Sequence, residues 1–530
     1  MRRLRLVLGI LLCAARLPAV TLTILHTSDL HGHVHPHDAL ADADRGEGLA
    51  RVATAVAAVR AEGGAVLLLD SGDTIEGAPE QALAFSGRVG GGGDPIVGAM
   101  NRVGYDAMAI GNHEFDFGLE RLEASRREAR FPWLSANTLR PDGAPAFAPY
   151  VVKEIAGVRV GILGLVTPHV ANWESPALLG GLRFGDSVEA ARKWVPVLRG
   201  TERCDLVVVL AHEGFERDPR TGRERPDSGE NQAYAVATEV DGIDLVLSGH
   251  AHVVVAPTRL GKTWVSQPGR FGNTLTRFDV TLERAGERWT VAGISGRNLP
   301  MRRVAPEPGI VEAVARVEAE TMAALAEELA VLETPVSFHG ARREDNAALD
   351  WLQAVQLRET GAALSFASLL PAALPDWQAG PLTLRQIWAF YPYENGLVTV
   401  EATGRQVRAA LERAAGCLGR PEEFGRNCDA LEGAAYVVDP SRSEGHRVVS
   451  FTRNGRDVAA DDVFRVAINS YRASGGGGYP MWKGAKRVGE TGNLRDLLAA
   501  DARAKKRLRL AADGNWKVAS TRADILRRVR

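Results

Sequence analysis

Cysteine is scarce in this chain, with four among 530 residues. That number and spacing leave no cysteine-built zinc site. Net charge is nearly absent too, −1 from 64 basic and 65 acidic residues. The chain therefore lacks the basic footprint that binding a nucleic-acid polymer requires, and any nucleotide it binds is expected to be small. Leu6–Ala15 is an apolar run of ten residues, half of the roughly 20 that a membrane-spanning helix needs, so no stable membrane span is expected. No internal repeat stands out. What remains, 45% hydrophobic, 24% charged and 6% aromatic, is the composition of a globular protein, and 530 residues exceed one ordinary core. Two domains are the default.

The N-terminus has the pattern of an export leader. Met1-Arg2-Arg3-Leu4-Arg5 is a basic segment, Leu6–Ala15 an apolar one, and Leu17-Pro18-Ala19 a small-residue cleavage site. Residues 1–19 are read as a signal peptide, which makes the mature protein periplasmic or secreted. Cys13 has neither Gly nor Ala before it, so a lipid anchor is the weaker variant. Cys204 opens a strand and suits a buried thiol. Cys417 and Cys428, eleven apart in a loop-like segment, suit a local disulfide in an oxidising compartment.

Five short blocks in the first 260 residues carry metal-type ligands: Asp29-Leu30-His31, Gly72-Asp73, Gly111-Asn112-His113-Glu114, Ala211-His212 and Gly249-His250-Ala251-His252. Four follow apolar runs that read as buried strands, Leu22–Leu25, Val66–Leu69, Leu206–Leu210 and Leu245–Leu247. The remaining block follows the weaker run Ala107–Ile110. Strands ending in Asp, Asn and His line up oxygen and nitrogen donors along one rim of a sheet, where two divalent cations can lie side by side.

Asp73, at a strand end before a turn, suits the ligand shared by both ions. Asp29 and His31, two apart at a strand end and therefore expected to point the same way, suit one ion, with His252 returning to it. Asn112, His212 and His250 suit the other. This mixed donor set fits Mn, Zn, Fe or Co. His113 is left without an ion and is expected to face the substrate, stabilising phosphoryl oxygens or protonating the leaving oxygen. Asp116 is placed to orient it and raise its pKa. His26, His33, His35 and His37 compete as ligands near the first block, but most lie in an irregular loop with Pro36, where hydrogen-bonded or solvated roles are expected.

From Thr21 to about Asn298 strand runs alternate with helical periods at Gly48–Glu62, Ser187–Leu198 and Asn231–Val240. The pattern predicts an α/β domain with helices covering sheets. Arg88–Gly93 follows no strand and reads as loop geometry, not a phosphate cradle. Glu307–Leu332, rich in Ala, Glu and Leu and flanked by Pro306, Pro308 and Pro335, predicts a bridging helix without coiled-coil heptads. A second α/β region follows, with helices at Asn346–Thr360 and Gly404–Ala415 and strands at Leu397–Ala402 and Val463–Ile468. Asp501–Arg530 is basic and polar and reads as one or two solvated terminal helices.

In this order the five blocks resemble the calcineurin-type metallophosphoesterases. The resemblance implies a four-layer α/β/β/α sandwich and the ligand roles just argued. Over nearly the whole mature chain the sequence is similar to the bacterial 5′-nucleotidase family, which adds a C-terminal substrate domain whose two aromatic rings sandwich the base. The matching segments, Tyr391-Pro392-Tyr393-Glu394-Asn395 and Asn469–Gly478, carry the clamp to Tyr393 and Tyr471. Tyr391 and Arg472 stand open between substrate contact and structural roles. The implied arrangement is a catalytic domain over residues 20–300, a linker helix over 301–335 and a substrate-binding domain over 336–530, with domain closure or rotation between them.

Two departures separate this chain from plain 5′-nucleotidases. Their Asn-Gly-Gly-Gly-Ile-Arg segment corresponds to Ser365–Leu370, which has neither the glycines nor the Arg, and the Asp that holds their ribose is replaced by Gly477. Gly48–Ala53, Val166–Trp173, Glu230–Ala233, Tyr391–Asn395 and Asn469–Gly477 instead resemble the 2′,3′-cyclic-nucleotide 2′-phosphodiesterase/3′-nucleotidase branch. The resemblance implies a phosphohydrolase of 2′,3′-cyclic nucleotides and 3′-nucleotides in which a metal-bridged hydroxide attacks phosphorus; with the leader, an exported monomer is expected. The alternatives are a 5′-nucleotidase or UDP-sugar hydrolase and, more remotely, a sulfur-oxidation hydrolase or a non-catalytic secreted nucleotide-binding protein.

Overall fold

The computed structural model describes residues 19–91, 93–225, 229–371, 373–419 and 427–519. The leader, apart from Ala19, lies outside the described residues, as does the end of the tail from residue 520.

Two six-stranded sheets form the centre of the first domain. In spatial order one contains Arg288–Pro300, Thr274–Ala285, Ala19–Thr27, Ala65–Asp70, Ala107–Ala109 and Trp133–Leu134. The other runs Val254–Leu260, Thr263–Pro268, Leu245–Ser248, Leu206–His212, Val158–Val166 and Tyr150–Ile155. Their central strands are parallel, with Leu22 opposite Ala65 and Leu206 opposite Val160. Such strands are buried on both faces, which is why they read as continuous apolar runs instead of alternating ones.

Alternation still decides which layer each side chain fills. Leu22, Ile24, Leu67, Leu69, Val160, Ile162, Val208 and Leu210 meet in the core between the sheets. Leu25 and Leu68 point the other way, into an outer layer with helices Leu49–Ala61, Pro95–Val103 and Gly118–Glu128. Val207 and Val209 face helices Ser187–Pro196 and Ala233–Glu239 on the opposite side. Four layers result, α/β/β/α. The helix ends have local causes. Asp94 caps Pro95–Val103 by accepting from the Val97 N–H, Pro95 supplies the first helical φ, and Gly104 ends the helix in the left-handed conformation.

The second domain is mixed α/β. A five-stranded sheet, ordered Ala430–Glu432, Leu364–Ala367, Val463–Asn469, Gly396–Thr403 and Lys486–Asn493, carries helices Ala347–Thr360 and Gly404–Gly419. Asn346 caps the first of these, accepting from the Ala348 and Leu349 N–H groups. A disulfide joins Cys417 to Cys428, and Cys204 is a buried free thiol.

Two expected helices are revised. The bridging helix spans Pro308–Leu325 and stops short of Leu332, because Glu328–Leu332 is a strand paired with Gly380–Thr383 and Arg507–Leu508. The tail is helical only to Lys505, in helix Leu494–Lys505, and then contributes strands Arg507–Leu508 and Trp516–Val518. Both segments owe their strand state to partners more than 45 residues away in sequence, which helical periodicity cannot register. Among the described residues no helix is long and apolar enough to cross a membrane.

The sheets approach closely at Gly164, where an added Cβ would lie 2.5 Å from both the Cβ and the carbonyl oxygen of Leu134. Gly164→Ala is expected to destabilise the protein by about 1–3 kcal/mol through overpacking, measured by urea denaturation. An unchanged midpoint would show that the sheets can separate freely there.

Candidate active site

All five ligand blocks sit at the carboxyl ends of parallel strands, the rim on which open α/β sheets place their ligands. Asp29 and His31 follow Ala19–Thr27, Asp73 follows Ala65–Asp70, and Asn112 follows Ala107–Ala109. His212 ends its strand, and His250 and His252 follow Leu245–Ser248. Strand alternation does not aim Asp29 and His31, contrary to expectation, since both lie beyond the strand in left-handed turns with φ of 54° and 48°. Asp73, His250 and His252 are left-handed as well, at 58°, 70° and 57°. Such strain concentrates at functional sites, at about 1–3 kcal/mol each.

Donor atoms of Asp29, His31, Asp73 and His252 lie within 4.8 Å of one another, and so do those of Asp73, His212 and His250. Asp73 belongs to both groups. Asn112 Oδ1 joins the second, 3.2 Å from His212 Nε2. Two glycines permit this crowding. A Cβ on Gly111 would lie 2.3 Å from Asp73 Oδ1, and one on Gly249 would lie 2.1 Å from Ser28 Oγ.

The donor set fits cations. Asp73 Oδ2 is buried and has no hydrogen-bond partner. His212 Nδ1 donates to the Ser71 carbonyl at 2.7 Å, which turns Nε2 toward Asp73 Oδ2 at 3.0 Å. His31 Nδ1 donates likewise to the Glu76 carbonyl at 2.9 Å, leaving Nε2 facing His252 Nε2 at 3.0 Å and Asp73 Oδ2 at 3.8 Å. Lone pairs converge, and only positive charge relieves them. Without a metal that charge is a proton: burial works against a charged His212, but Asp73 and Asp29 outweigh it and push its pKa up to about 9.

His113 stands beside these clusters. Its backbone N–H donates to Asp73 Oδ1 at 2.9 Å, and its Nδ1 lies 2.9 Å from Asp116 Oδ2. Burial opposes a charged ring, yet Asp116, Asp73 and Glu76 together hold its pKa well above the ordinary value. Two carboxylates here escaped sequence reasoning. Glu76 Oε2 is 3.4 Å from His113 Nδ1 and 3.5 Å from His31 Nδ1. Glu174 is a neighbour of Asp116, and burial first, then Asp116, raises its pKa well above the ordinary value. Glu76 follows Asp73 by three residues, as Asp116 follows His113, and that echo was the available signal. Trp173 stacks on His250 at 5.2 Å between centroids. His26 is on a strand, bonded to Ser71, and His33 stacks on Phe271, both outside the two ligand groups.

From the second domain, Tyr393 lies in the loop after helix Leu384–Phe390, and Tyr471 is in the short helix Ser470–Ala473. Burial raises the Tyr471 phenol's pKa, and Glu230 of the first domain and Tyr393 add to the effect, so all three share one neighbourhood. Gly476 packs on the Tyr471 ring, where a Cβ would lie 2.4 Å from Cε2. Arg472 is structural: it is buried, pairs with both oxygens of Asp429 at 2.8 Å, and reaches Ser368 Oγ at 3.4 Å. Tyr391 is buried and hydrogen-bonded to Asn469. Gly477 has φ 69°, and a Cβ there would strike Arg472 Nη1 and Asn427 Oδ1 at 2.3 and 2.4 Å. The domains meet next to the site, through Ser175 to Glu490 at 3.1 Å and Lys483 to Asn172 at 3.2 Å.

Comparison with known proteins matches two families in turn along the chain. Residues 22–254 match the calcineurin-like phosphoesterase family, and 323–484 match the 5′-nucleotidase C-terminal domain. The 2′,3′-cyclic-nucleotide 2′-phosphodiesterase/3′-nucleotidase of Salmonella typhimurium is 28% identical over 97% of this chain and 91% of its own length. The trifunctional nucleotide phosphoesterase protein YfkN of Bacillus subtilis is 27% identical over 95% of this chain, which spans only 39% of that longer protein. A crystal structure of the calcineurin-like phosphoesterase YfkN is 30% identical, with a TM-score of 0.53, covering 58% of this chain and 99% of that one. A candidate 5′-nucleotidase from Staphylococcus aureus, solved with alpha-ketoglutarate, superimposes with a TM-score of 0.83 at 25% identity, over 94% of this chain and 100% of that one.

The raised His212 pKa yields a signed prediction. Its stabilising contribution in the metal-free protein is fully present below 6.5, the unfolded value, and is lost as pH rises through about 9. Metal ligation replaces that proton. Urea denaturation of chelator-treated protein should therefore show stability falling between these pH values, and loading with Mn²⁺ should remove the His212-linked fall. An identical slope with and without metal would contradict the fit.

Proposed function

Because the chain belongs to the calcineurin-like phosphoesterases that carry a 5′-nucleotidase C-terminal domain, we propose that it hydrolyses 2′,3′-cyclic nucleotides and 3′-nucleotides after export. That it is a metal-dependent phosphoesterase follows from the family and its relatives. The observation that carries the reaction class is Asp73, shared by two ligand clusters and bonded to the backbone of His113. For the cyclic and 3′-nucleotide preference, the support is the relative of that name over nearly the full chain. Gly477 adds to it, because Arg472 and Asn427 occupy the space that a ribose-holding Asp would need.

Asp73 is assigned as the ligand common to two ions. Asp29, His31 and His252 complete one set, and Asn112, His212 and His250 the other. Divalent cations held there would supply Lewis-acid charge and a water acidic enough to attack phosphorus near neutral pH. The chain's own residues do the rest. His113 keeps its Nδ1 proton on Asp116, which leaves the Nε2 proton for the departing ribose oxygen, and its positive charge offsets charge building on the phosphoryl group. Glu76 fixes His31 and His113 in mutual orientation. Tyr393 and Tyr471 hold the base by stacking, which tolerates different bases. The leader pattern at residues 1–19 supports export to the periplasm or medium.

The deciding experiment is steady-state kinetics of one Mn²⁺-loaded preparation on 2′,3′-cAMP, 3′-AMP, 5′-AMP and a UDP-sugar. The expected order of kcat/KM puts the first two ahead; a lead for 5′-AMP or the UDP-sugar would transfer the assignment to the 5′-nucleotidase reading.

Tyr471→Ala should raise KM for 3′-AMP by about 5- to 140-fold, the loss of about 1–3 kcal/mol of stacking. Turnover of p-nitrophenyl phosphate, which has no base, should change little. Equal losses on both substrates would remove Tyr471 from base recognition.

A further inference from the structure

The loop His33–His37 and the bridging helix bring a second group of ligand-type side chains together, away from the rim. His35, His37 and Glu318 offer donor atoms all within 4.8 Å of one another. They line a cavity of about 190 Å³ that also includes Glu80 and, from the second domain, Pro392. Glu318 is only 9% exposed, and its Oε2 has no hydrogen-bond partner. The carboxyl of Glu80 faces it, an acid against an acid; burial, followed by Glu318 itself, pushes the Glu80 pKa well above the ordinary range. Two buried carboxyl groups in this relation must share a proton or a cation.

The contacts of His37 call for the same positive charge. Its Nε2 lies 3.0 Å from Asp42 Oδ1. Its Nδ1 faces a second acceptor, Glu318 Oε1, at 3.0 Å, so that side of the ring needs a second proton or a cation. A carboxylate bonded to the far nitrogen of a histidine is the usual outer support of a metal-bound imidazole. His35 Nδ1 accepts the His37 backbone N–H at 3.1 Å, a bond that an ion would have to displace, and is 3.9 Å from the same Oε1. Tetrahedral Zn²⁺, with bonds of about 2.0–2.1 Å, separates neighbouring donor atoms by roughly 3.3 Å, between the two distances to Oε1.

We propose that His35, His37 and Glu318, with Glu80 beside Glu318, form a structural divalent-cation site suited to Zn²⁺, separate from the rim clusters. Its place in the fold gives it a task. Asp42 pairs with Arg385 at 2.7 Å, on helix Leu384–Phe390 of the second domain. The ion therefore fastens the histidine loop to the bridging helix and, through Asp42, to the other domain. The inference does not depend on how the rim clusters are filled.

The test is metal content and thermal stability of the full chain after loading with Zn²⁺ and desalting. The unaltered protein should retain about three ions, and the His35→Gln/His37→Gln protein about two, with a lower Tm. Asp73→Asn, which weakens only the rim clusters, should keep a Zn²⁺-dependent rise in Tm that the histidine double variant lacks in the same background. Equal zinc content in the unaltered and His35→Gln/His37→Gln proteins would overturn the proposal. Should the variants fail to fold, anomalous diffraction at the zinc edge from unaltered crystals decides it: a peak among His35, His37 and Glu318 supports the site, and its absence rejects it.

Discussion

The rim depends on one buried carboxylate that touches no substrate. Glu114 accepts the backbone N–H groups of Asp73 at 2.9 Å, Thr74 at 2.6 Å and Ile75 at 3.3 Å, and of Gly111 at 2.6 Å. Hydrogen bonds to a charged group contribute about 1.5–3 kcal/mol each, enough to offset the left-handed conformation of Asp73. Gly72 and Gly111 allow the approach, since a Cβ on Gly72 would lie 2.6 Å from the Gly111 nitrogen. Gly72-Asp73 and Gly111–Glu114, separate in sequence, are thus two halves of one lock. With Asp73 fixed, His113 is hung from its Oδ1 and the remaining donors close around its Oδ2.

The second domain repeats that logic with a different pair. Arg472 and Asp429 are both buried and doubly bonded, a costly arrangement unless every proton has an acceptor. Arg472 nearly meets that condition, placing four N–H protons on Asp429, Gly476 and Ser368, and its guanidinium lies 5.3 Å from the Tyr471 ring centre. The ring is therefore set against a rigid polar base and not a mobile loop. Ser365–Leu370, the stretch that lacks the family's glycines and Arg, supplies part of that base through Ser368. In this chain the segment serves the floor beneath the ring.

The rim was legible in sequence because each ligand block is short and follows its own apolar strand, so chemistry and position are written together. The four layers were implied by the family resemblance, while the alternation of strand and helix periods predicted only helices covering sheets. Glu76 and Glu174 were not legible: they matter only because turns carry them against His113 and Asp116, and Glu76's spacing of three from Asp73 was the one trace of this in the sequence. Glu328–Leu332 and Trp516–Val518 escaped because their pairing partners are distant, and an Ala- and Glu-rich stretch continues a helical pattern until a sheet claims it. His35 and His37 were visible as histidines, but Glu318, the residue that gives them a common purpose, is 281 positions beyond His37.

The helix Pro308–Leu325 belongs to two cores at once. Ile310 and Val314 are buried in the first domain's outer layer, and Leu325 is buried in the second domain's core, which also takes in Ala39, Leu83 and Val89 of the first. Neither core can empty without stripping apolar surface from the other. Melting should then be a single cooperative event, with no half-folded species in which one domain survives intact. The same sharing orders assembly along the chain: the first domain's sheets are complete by Pro300, yet its outer layer stays open until the residues after it have been made.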